Sequence, residues 1–168
     1  LDETLDGLHI AAQQPLEQTL RGGSQTTDDL FSRELPDIAA LRTMIRLAVA
    51  RYIEGLRKDP GHPFLSRISS SFTVSGSWSV RLRTGGYHEN HIHPDGWISA
   101  VYYVAIPDAV SDDNQGWLTI GETALKLGGR EQIMRMIRPE PGLLVLFPSY
   151  FYHGTLPFSG KAHRTTIA

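Results

Sequence analysis

Short strand-like stretches follow one another from residue 61 to the end of the chain. Residues 77–83 alternate apolar with polar side chains, residues 98–105 are rich in β-branched and aromatic side chains, and residues 142–147 form a continuous apolar run. Shorter candidates for strands, separated by glycine and proline, lie at residues 72–74, 117–120, 133–137 and 164–168. Such a series is typical of a β-sandwich or a β-barrel.

The first 60 residues differ from this pattern and are predicted to be mainly helical. Residues 36–58 carry apolar side chains at three- and four-residue steps, and Pro36 suits the first turn of a helix. Leucines near the start of the chain indicate a short amphipathic helix, whereas residues 21–27, with two glycines and small polar side chains, indicate a loop. We therefore expect helices packed on one side of a β-structure.

The length of the chain, 168 residues, is enough for one domain with a hydrophobic core. We expect a single domain, with residues 1–60 as its helical part and residues 61–168 as its β part. The sequence begins without Met and stops inside an apparent strand. We therefore also expect this domain to be a fragment of a longer chain.

Charge and composition weigh against several classes of function. The net charge of -2 and the absence of a long basic run give no electrostatic basis for binding nucleic acid. No apolar run approaches the roughly 18–20 residues of a membrane span. Because the chain has no cysteine, disulfides and thiolate metal sites are excluded. Together with the lack of a visible signal peptide, this predicts a cytoplasmic protein.

Histidines concentrate in one segment of the predicted β-region. Three of the seven histidines lie within residues 88–93, and Asp95 follows closely. In an extended backbone, side chains two residues apart point to the same side, so His91 and His93 can share one metal ion, and so can His93 and Asp95. His153, just beyond a long apolar stretch, is the candidate for a distant third ligand.

Ligands of this kind occur in more than one class of metal centre. Two histidines and one carboxylate on one face of the ion are the pattern of non-haem Fe(II) oxygenases, but zinc binds the same side chains. His91, His93 and Asp95 also spell part of the H-x-H-x-D-H signature of metallo-β-lactamase-like enzymes, with Gly96 in place of the next histidine. A zinc-dependent hydrolase is therefore one alternative, and a non-catalytic jelly-roll that binds a small molecule or a partner is another.

Four stretches together resemble the 2-oxoglutarate/Fe(II)-dependent oxygenases, in particular the oxygenase domains with an H-x-H-P motif. They are residues 91–99 (HIHPDGWIS), residues 101–104 (VYYV), residues 141–153 from Pro-Gly to the histidine, and residues 164–166 (RTT). The resemblance covers residues 76–168. It implies a mainly β fold with N-terminal helices and a double-stranded β-helix (jelly-roll) core.

The resemblance also implies roles for individual residues. The metal site and catalytic centre would be formed by His91, His93 and His153. Asp95 is the alternative to one of the first two histidines, and it could instead orient one of them. The cosubstrate 2-oxoglutarate would be bound by Arg164, Thr166 and Tyr103. A guanidinium suits this task because it matches a carboxylate with two parallel hydrogen bonds.

The activity implied is an Fe(II)- and 2-oxoglutarate-dependent dioxygenase. It would hydroxylate an unidentified small molecule or peptide, consume molecular oxygen, and release succinate and CO2. The cofactor would be Fe(II) and the cosubstrate 2-oxoglutarate, with neither nucleic acid nor membrane as a partner.

Overall fold

The computed structural model describes residues 1–9, 19–110 and 113–168. Two α-helices occur within these residues, α1 (Asp2–Asp6) and α2 (Pro36–Glu54). The strands are β1 (Leu20–Gln25), β2 (Ser79–His88), β3 (Ile98–Ala105), β4 (Leu118–Ile120), β5 (Arg135–Ile137), β6 (Leu144–Pro148), β7 (His153–Thr155) and β8 (Arg164–Ile167).

The strands form two antiparallel sheets whose apolar faces meet. One sheet has the order β1-β2-β8-β3-β6, and the other has the order β5-β4-β7. Leu118 and Ile120 of β4 pack against Phe147 of β6 and Val101 of β3, so the two sheets share a core. The opposite face of the larger sheet is covered by the helices. The chain is therefore mainly β with N-terminal helices, as predicted.

Helix α2 buries its predicted apolar stripe against this outer face. The buried residues of the stripe are Ile38, Leu41, Ile45, Val49 and Ile53. They pack with Tyr102 and Val104 of β3, whose side chains alternate with those that face the other sheet. Each buried aliphatic side chain contributes on the order of 1.5–3 kcal/mol. The helix ends at Glu54, before the predicted residue 58, with Gly55 as its C-cap residue.

Strand β1 corrects the prediction of a loop at residues 21–27. Its glycines permit a close approach to β2: a Cβ on Gly23 would lie 2.5 Å from the Arg81 carbonyl oxygen. Gly85 and Gly86, predicted as a turn, lie inside β2 beside the same bulge. These glycines lie within strands, where the missing side chain lets the two backbones come close, and they do not form a loop. The short strand predicted at 72–74 is not formed.

Gly86→Ala is expected to lower the free energy of unfolding by about 1–3 kcal/mol. A Cβ there would lie 2.7 Å from the Gly22 carbonyl oxygen and 2.8 Å from that of Arg83, so backbone must move. Gly55→Ala is the matched control, because its nearest contact is 3.5 Å and its φ is -75. Urea unfolding of both variants measures the difference, and equal unfolding midpoints would contradict the packing described for β1 and β2.

No helix in the described part of the chain is both long enough and apolar enough to cross a membrane. The cytoplasmic location stays a prediction.

Candidate metal centre

Three histidines that are far apart in the sequence form one cluster. One ring nitrogen from each of His91, His93 and His153 lies within 4.8 Å of the other two. The ring centroids of His91 and His153 are 4.2 Å apart, and that of His93 lies 5.0 and 5.1 Å from them. Among the described residues, no other group of three or more histidine or acidic side chains has this spacing. The predicted convergence of the three side chains is thus observed.

Main-chain pairing brings the distant histidine into the cluster. His91 and His153 face each other in an antiparallel bridge, in which the His91 amide donates to the His153 carbonyl at 2.9 Å and the His153 amide donates back at 3.0 Å. The His93 amide donates to the carbonyl of Ser149, four residues before His153, at 3.0 Å. Because paired residues present their side chains on one side, this bridge brings the side chains of His91 and His153 together.

Hydrogen bonds to carbonyl groups fix the tautomer of two of these rings. Nδ1 of His91 lies 2.7 Å from the Glu89 carbonyl oxygen, and Nδ1 of His153 lies 3.0 Å from that of Phe151. A carbonyl oxygen only accepts, so each Nδ1 donates and carries the hydrogen. The lone pair of each Nε2 is left for a metal ion, as is usual for metal-binding histidines.

The three imidazoles are neutral at pH 7. Burial lowers the pKa of His153 to about 3 and that of His93 to about 4, and it also lowers the pKa of His91. Neighbouring imidazoles add to the effect on His153 and His93. A metal ion binds the neutral form of the ring. Three neutral nitrogen donors with this spacing therefore fit a divalent metal ion.

The metal-free protein is expected to lose stability as the pH falls from 7 to 5. The pKa of His153 is about 3 in the folded chain against an ordinary value of 6.5, so in this window the unfolded chain binds a proton that the folded chain excludes. His153 alone then costs about 2 kcal/mol at pH 5. Urea unfolding of chelator-treated protein at pH 7, 6 and 5 measures this. A free energy of unfolding that does not change would show that His153 titrates normally.

Asp95 lies outside the cluster of histidines. The Gly96 amide donates to the His93 carbonyl at 3.2 Å, which closes a turn over Pro94 and Asp95. The expectation that His93 and Asp95 can share an ion requires an extended backbone, and this turn interrupts it. The side chain of Asp95 is exposed and lines the mouth of the cavity described below.

Arg164 is a buried cation without a carboxylate partner. Its side chain is 1% exposed, its Nε has no hydrogen-bond partner, and it forms no ion pair with any acidic residue in the described chain. Burial lowers the pKa of Arg164 from its ordinary value, and a guanidinium stays charged at pH 7. An unpaired buried charge costs several kcal/mol, so this side chain is suited to an anionic ligand.

Tyr103 and Thr166 lie directly beside Arg164. They face each other across β3 and β8, and the Arg164 guanidinium carbon lies 5.2 Å from the centroid of the Tyr103 ring. The Tyr103 hydroxyl is buried and has no well-aligned hydrogen-bond partner; burial raises its pKa, and the adjacent Arg164 guanidinium offsets part of this rise. A buried polar group without a partner indicates a missing ligand or water. The three residues predicted to bind a cosubstrate are thus neighbours.

One cavity of about 580 Å³ connects these features. Its walls include the three clustered histidines together with Arg164 and Thr166, whereas Tyr103 contacts Arg164 and does not itself line the cavity. Apolar parts of the wall near the histidines are Val80, Leu118 and Phe147. This volume is within the roughly 300–1,000 Å³ of small-molecule sites.

Side chains of distant segments contact the histidine segment and hold it in place. The Asn90 side-chain amide donates to Glu122 at 2.8 Å, and a Cβ on Gly154 would lie 2.3 Å from the Asn90 side-chain oxygen. Gly154 therefore leaves room for Asn90 between the two metal-binding segments. His88 also lines the cavity, and burial lowers its pKa to about 3.

A family model and several solved structures match this chain. The model described as "Putative 2OG-Fe(II) oxygenase" matches residues 76–168, where 2OG stands for 2-oxoglutarate. No curated protein matches the sequence significantly.

The similar structures include three hydroxylases. A prolyl-4-hydroxylase from Pseudomonas putida is 18% identical with a TM-score of 0.55, over 99% of this chain and 77% of the other. A prolyl hydroxylase from Trichoplax adhaerens, solved with a peptide fragment of hypoxia inducible factor, is 14% identical with a TM-score of 0.60, over 98% and 72%. The viral collagen prolyl hydroxylase of Paramecium Bursaria Chlorella virus-1, solved with 2OG, is 14% identical with a TM-score of 0.53, over 98% and 85%. At these identities the likeness concerns the fold, and it confirms the predicted double-stranded β-helix core.

Proposed function

This chain belongs to the family of 2OG-Fe(II) oxygenases, and on that premise we propose which of its residues carry the activity. The enzyme is an Fe(II)- and 2-oxoglutarate-dependent oxidoreductase. We assign the metal to His91, His93 and His153, and the cosubstrate to Arg164, Thr166 and Tyr103. The observation that carries the assignment is the buried, unpaired guanidinium in the same cavity as three neutral imidazoles.

Iron and cosubstrate together supply the oxidation: 2-oxoglutarate and oxygen are converted to succinate and CO2, and one oxygen atom enters a C–H bond of the substrate. The chain's own part is to bind, orient and exclude water. The Nδ1 hydrogen bonds of His91 and His153 hold their rings with Nε2 free. The burial of His153 keeps the ring neutral and available.

Charge favours a dianionic cosubstrate in this cavity. With three neutral imidazoles, a divalent ion keeps its full charge, whereas a carboxylate ligand would cancel part of it. Arg164 adds one more positive charge. A dicarboxylate offsets both at once, because one carboxylate reaches the ion and the other reaches the guanidinium. Thr166 shares the face of Arg164 on β8 and offers a hydroxyl to the same group.

The alternatives explain fewer of these features. A zinc-dependent hydrolase would use the histidines but has no evident need for a buried guanidinium at the same cavity. A non-catalytic jelly-roll would not require three clustered imidazoles, two of them with fixed tautomers and free Nε2 atoms. Asp95, the alternative ligand, is held away by the turn at residues 94–95. Membership of the family favours the oxygenase over both.

Several broader assignments complete the proposal. We infer one domain over residues 1–168, because β1 pairs with β2 and α2 packs on the same sheet. The substrate is a small molecule or a peptide that is hydroxylated. The similar structures named above include prolyl hydroxylases, which share the fold with this chain.

Anaerobic reconstitution tests the proposed function. Protein loaded with Fe(II) is expected to bind 2-oxoglutarate and, when oxygen is admitted, to form succinate at least about tenfold faster than metal-free protein, because both cosubstrates meet at the iron. Mass spectrometry measures the succinate formed, and zinc-loaded protein is the control. Tight zinc binding without affinity for 2-oxoglutarate would favour the hydrolase. Binding without any oxygen-dependent succinate would favour the non-catalytic module.

A further inference from the structure

The same cavity extends from the histidines towards helix α2, and this part of it is here named the outer chamber. It is bounded by helix α2 on one side and by the segment at residues 72–78 on the other. Its apolar wall consists of Phe31, Ile45, Val49, Ile53, Phe72 and Trp78. Trp78 joins the two compartments, because its ring centroid lies 5.8 Å from that of His93. The apolar wall of the outer chamber therefore extends, at Trp78, to the side of the candidate metal centre.

Two arginines at the outer chamber have no acidic partner. Arg46 and Arg67 line it, both are exposed, and neither forms an ion pair with an acidic residue of the described chain. The Arg46 guanidinium carbon lies 5.1 Å from the centroid of the Phe72 ring, which holds this cation against the apolar wall. The face of the ring fixes the position of the guanidinium and leaves its N–H groups free to donate.

The charge of the cavity is opposite to that of the whole chain. The chain carries a net charge of -2, yet the described residues that line the cavity include three arginines and one acidic side chain, Asp95. Arg164 is accounted for by 2-oxoglutarate in the proposed function. Arg46 and Arg67 remain, and clustered positive charge at a cleft concentrates anions there. Guanidinium groups suit carboxylates and phosphates in particular.

We propose that the substrate is a small amphipathic anion, with a carboxylate or a phosphate on an apolar body. Its anionic group binds Arg46 and Arg67, and its apolar body packs against Val49, Phe72 and Trp78. The end remote from the anion then lies beside Trp78 and the histidines, where a C–H bond is oxidised. This assignment names the substrate class of the proposed oxygenase and rests on it for the reaction alone, since binding of the anion is a separate property.

The test uses probes that share one apolar body. Protein loaded with Fe(II) and 2-oxoglutarate under anaerobic conditions is titrated with decanoate, decyl phosphate and decan-1-ol, and the fluorescence of the cavity tryptophans reports binding. The anion that binds more tightly is expected to have an affinity at least about tenfold higher than that of the alcohol. The comparison of decanoate with decyl phosphate shows whether the site prefers a carboxylate or a phosphate. In Arg46→Gln/Arg67→Gln this preference is expected to disappear while binding of the alcohol stays. Arg51→Gln, an exposed arginine of α2 outside the cavity, is the matched control and keeps the preference.

The outcomes separate this inference from the proposed function. Equal binding of anion and alcohol, or a preference that survives in the double variant, would overturn the anion site. So would an acidic peptide that binds the loaded protein where neither decyl anion does. Succinate formation without substrate is measured in parallel on the wild-type protein. If succinate forms but anions bind no better than the alcohol, only this inference is contradicted. If anions bind better but no succinate forms, the anion site is supported and the proposed function is contradicted.

Discussion

His153→Ala is expected to abolish iron binding and turnover. His153 contributes the ligand from the far end of the sequence, and its ring is held at the cluster by the Phe151 carbonyl and by the pairing with His91. Loss of an outer hydrogen-bond partner of a metal ligand already costs about 10–100-fold in affinity, so loss of the ligand itself is expected to cost more than about 100-fold. Anaerobic titration with Fe(II) and an iron analysis of the purified variant measure the effect.

The control for this variant is His163→Ala. His163 is exposed and lies outside the histidine cluster, so its removal is expected to leave iron binding unchanged. Circular dichroism of both variants checks that the fold is retained. Full iron occupancy in His153→Ala would remove this residue from the metal site, and loss of iron in both variants would show that the effect is not specific.

Arg164→Met is expected to lose 2-oxoglutarate binding while it keeps the iron. Truncation of one partner of a buried charge pair costs about 2–5 kcal/mol, which corresponds to roughly 30-fold to several thousand-fold in the dissociation constant. Methionine keeps much of the side-chain volume, so the contact with the Tyr103 ring is largely preserved. Anaerobic calorimetry with 2-oxoglutarate on iron-loaded protein measures the loss, and iron analysis measures the metal.

A second property distinguishes a ligand-binding arginine from a structural one. The guanidinium has no carboxylate partner among the residues that the structure describes, so without the cosubstrate it is a buried and uncompensated charge. Arg164→Met is therefore expected to unfold at no lower urea concentration than the wild type when cosubstrate is absent. The stabilisation that 2-oxoglutarate gives the wild type, about 2.7 kcal/mol at a hundredfold excess over the dissociation constant, should be missing in the variant. Unchanged 2-oxoglutarate affinity would remove Arg164 from the site.

Local patterns in the sequence predicted those helices and strands in which buried side chains recur at a regular spacing. Residues 98–105 were predicted as a strand and form β3 with the same limits, because β-branched and aromatic side chains alternate between two buried faces. The apolar stripe of α2 was predicted for a similar reason. In both cases the side-chain period alone carries the information.

Elements that depend on distant partners could not be predicted in this way. Strand β7 has three residues, and it forms because it pairs with β4 and bridges to His91. Strand β1 was predicted as a loop, because glycine favours a strand only when another backbone lies close beside it, and the sequence does not show which one does. Residues 72–74 have strand-like composition but gain no partner strand in the described chain.

In the candidate site, too, local features could be predicted from the sequence and most features that depend on distant contacts could not. The shared direction of His91 and His93 follows from alternation, and the structure shows it. The position of Asp95 could not be predicted from alternation, because a tight turn interrupts the extended backbone after His93. His153 was proposed as a distant third ligand from its place after a long apolar stretch, and the resemblance to a family supported it. A non-local hydrogen-bonded bridge is the physical cause of its convergence with this pair. The arginines of the outer chamber, Arg46 and Arg67, are brought to it by packing and have no sequence signal of their own.

The most direct measurement is a crystal structure of the protein loaded anaerobically with Fe(II) and 2-oxoglutarate, with anomalous data at the iron edge. We predict one iron peak with the Nε2 atoms of His91, His93 and His153 at about 2.1 Å, and one carboxylate of 2-oxoglutarate on Arg164. An iron held by the Asp95 carboxylate in place of His91, or one that lies away from His153, would contradict the account.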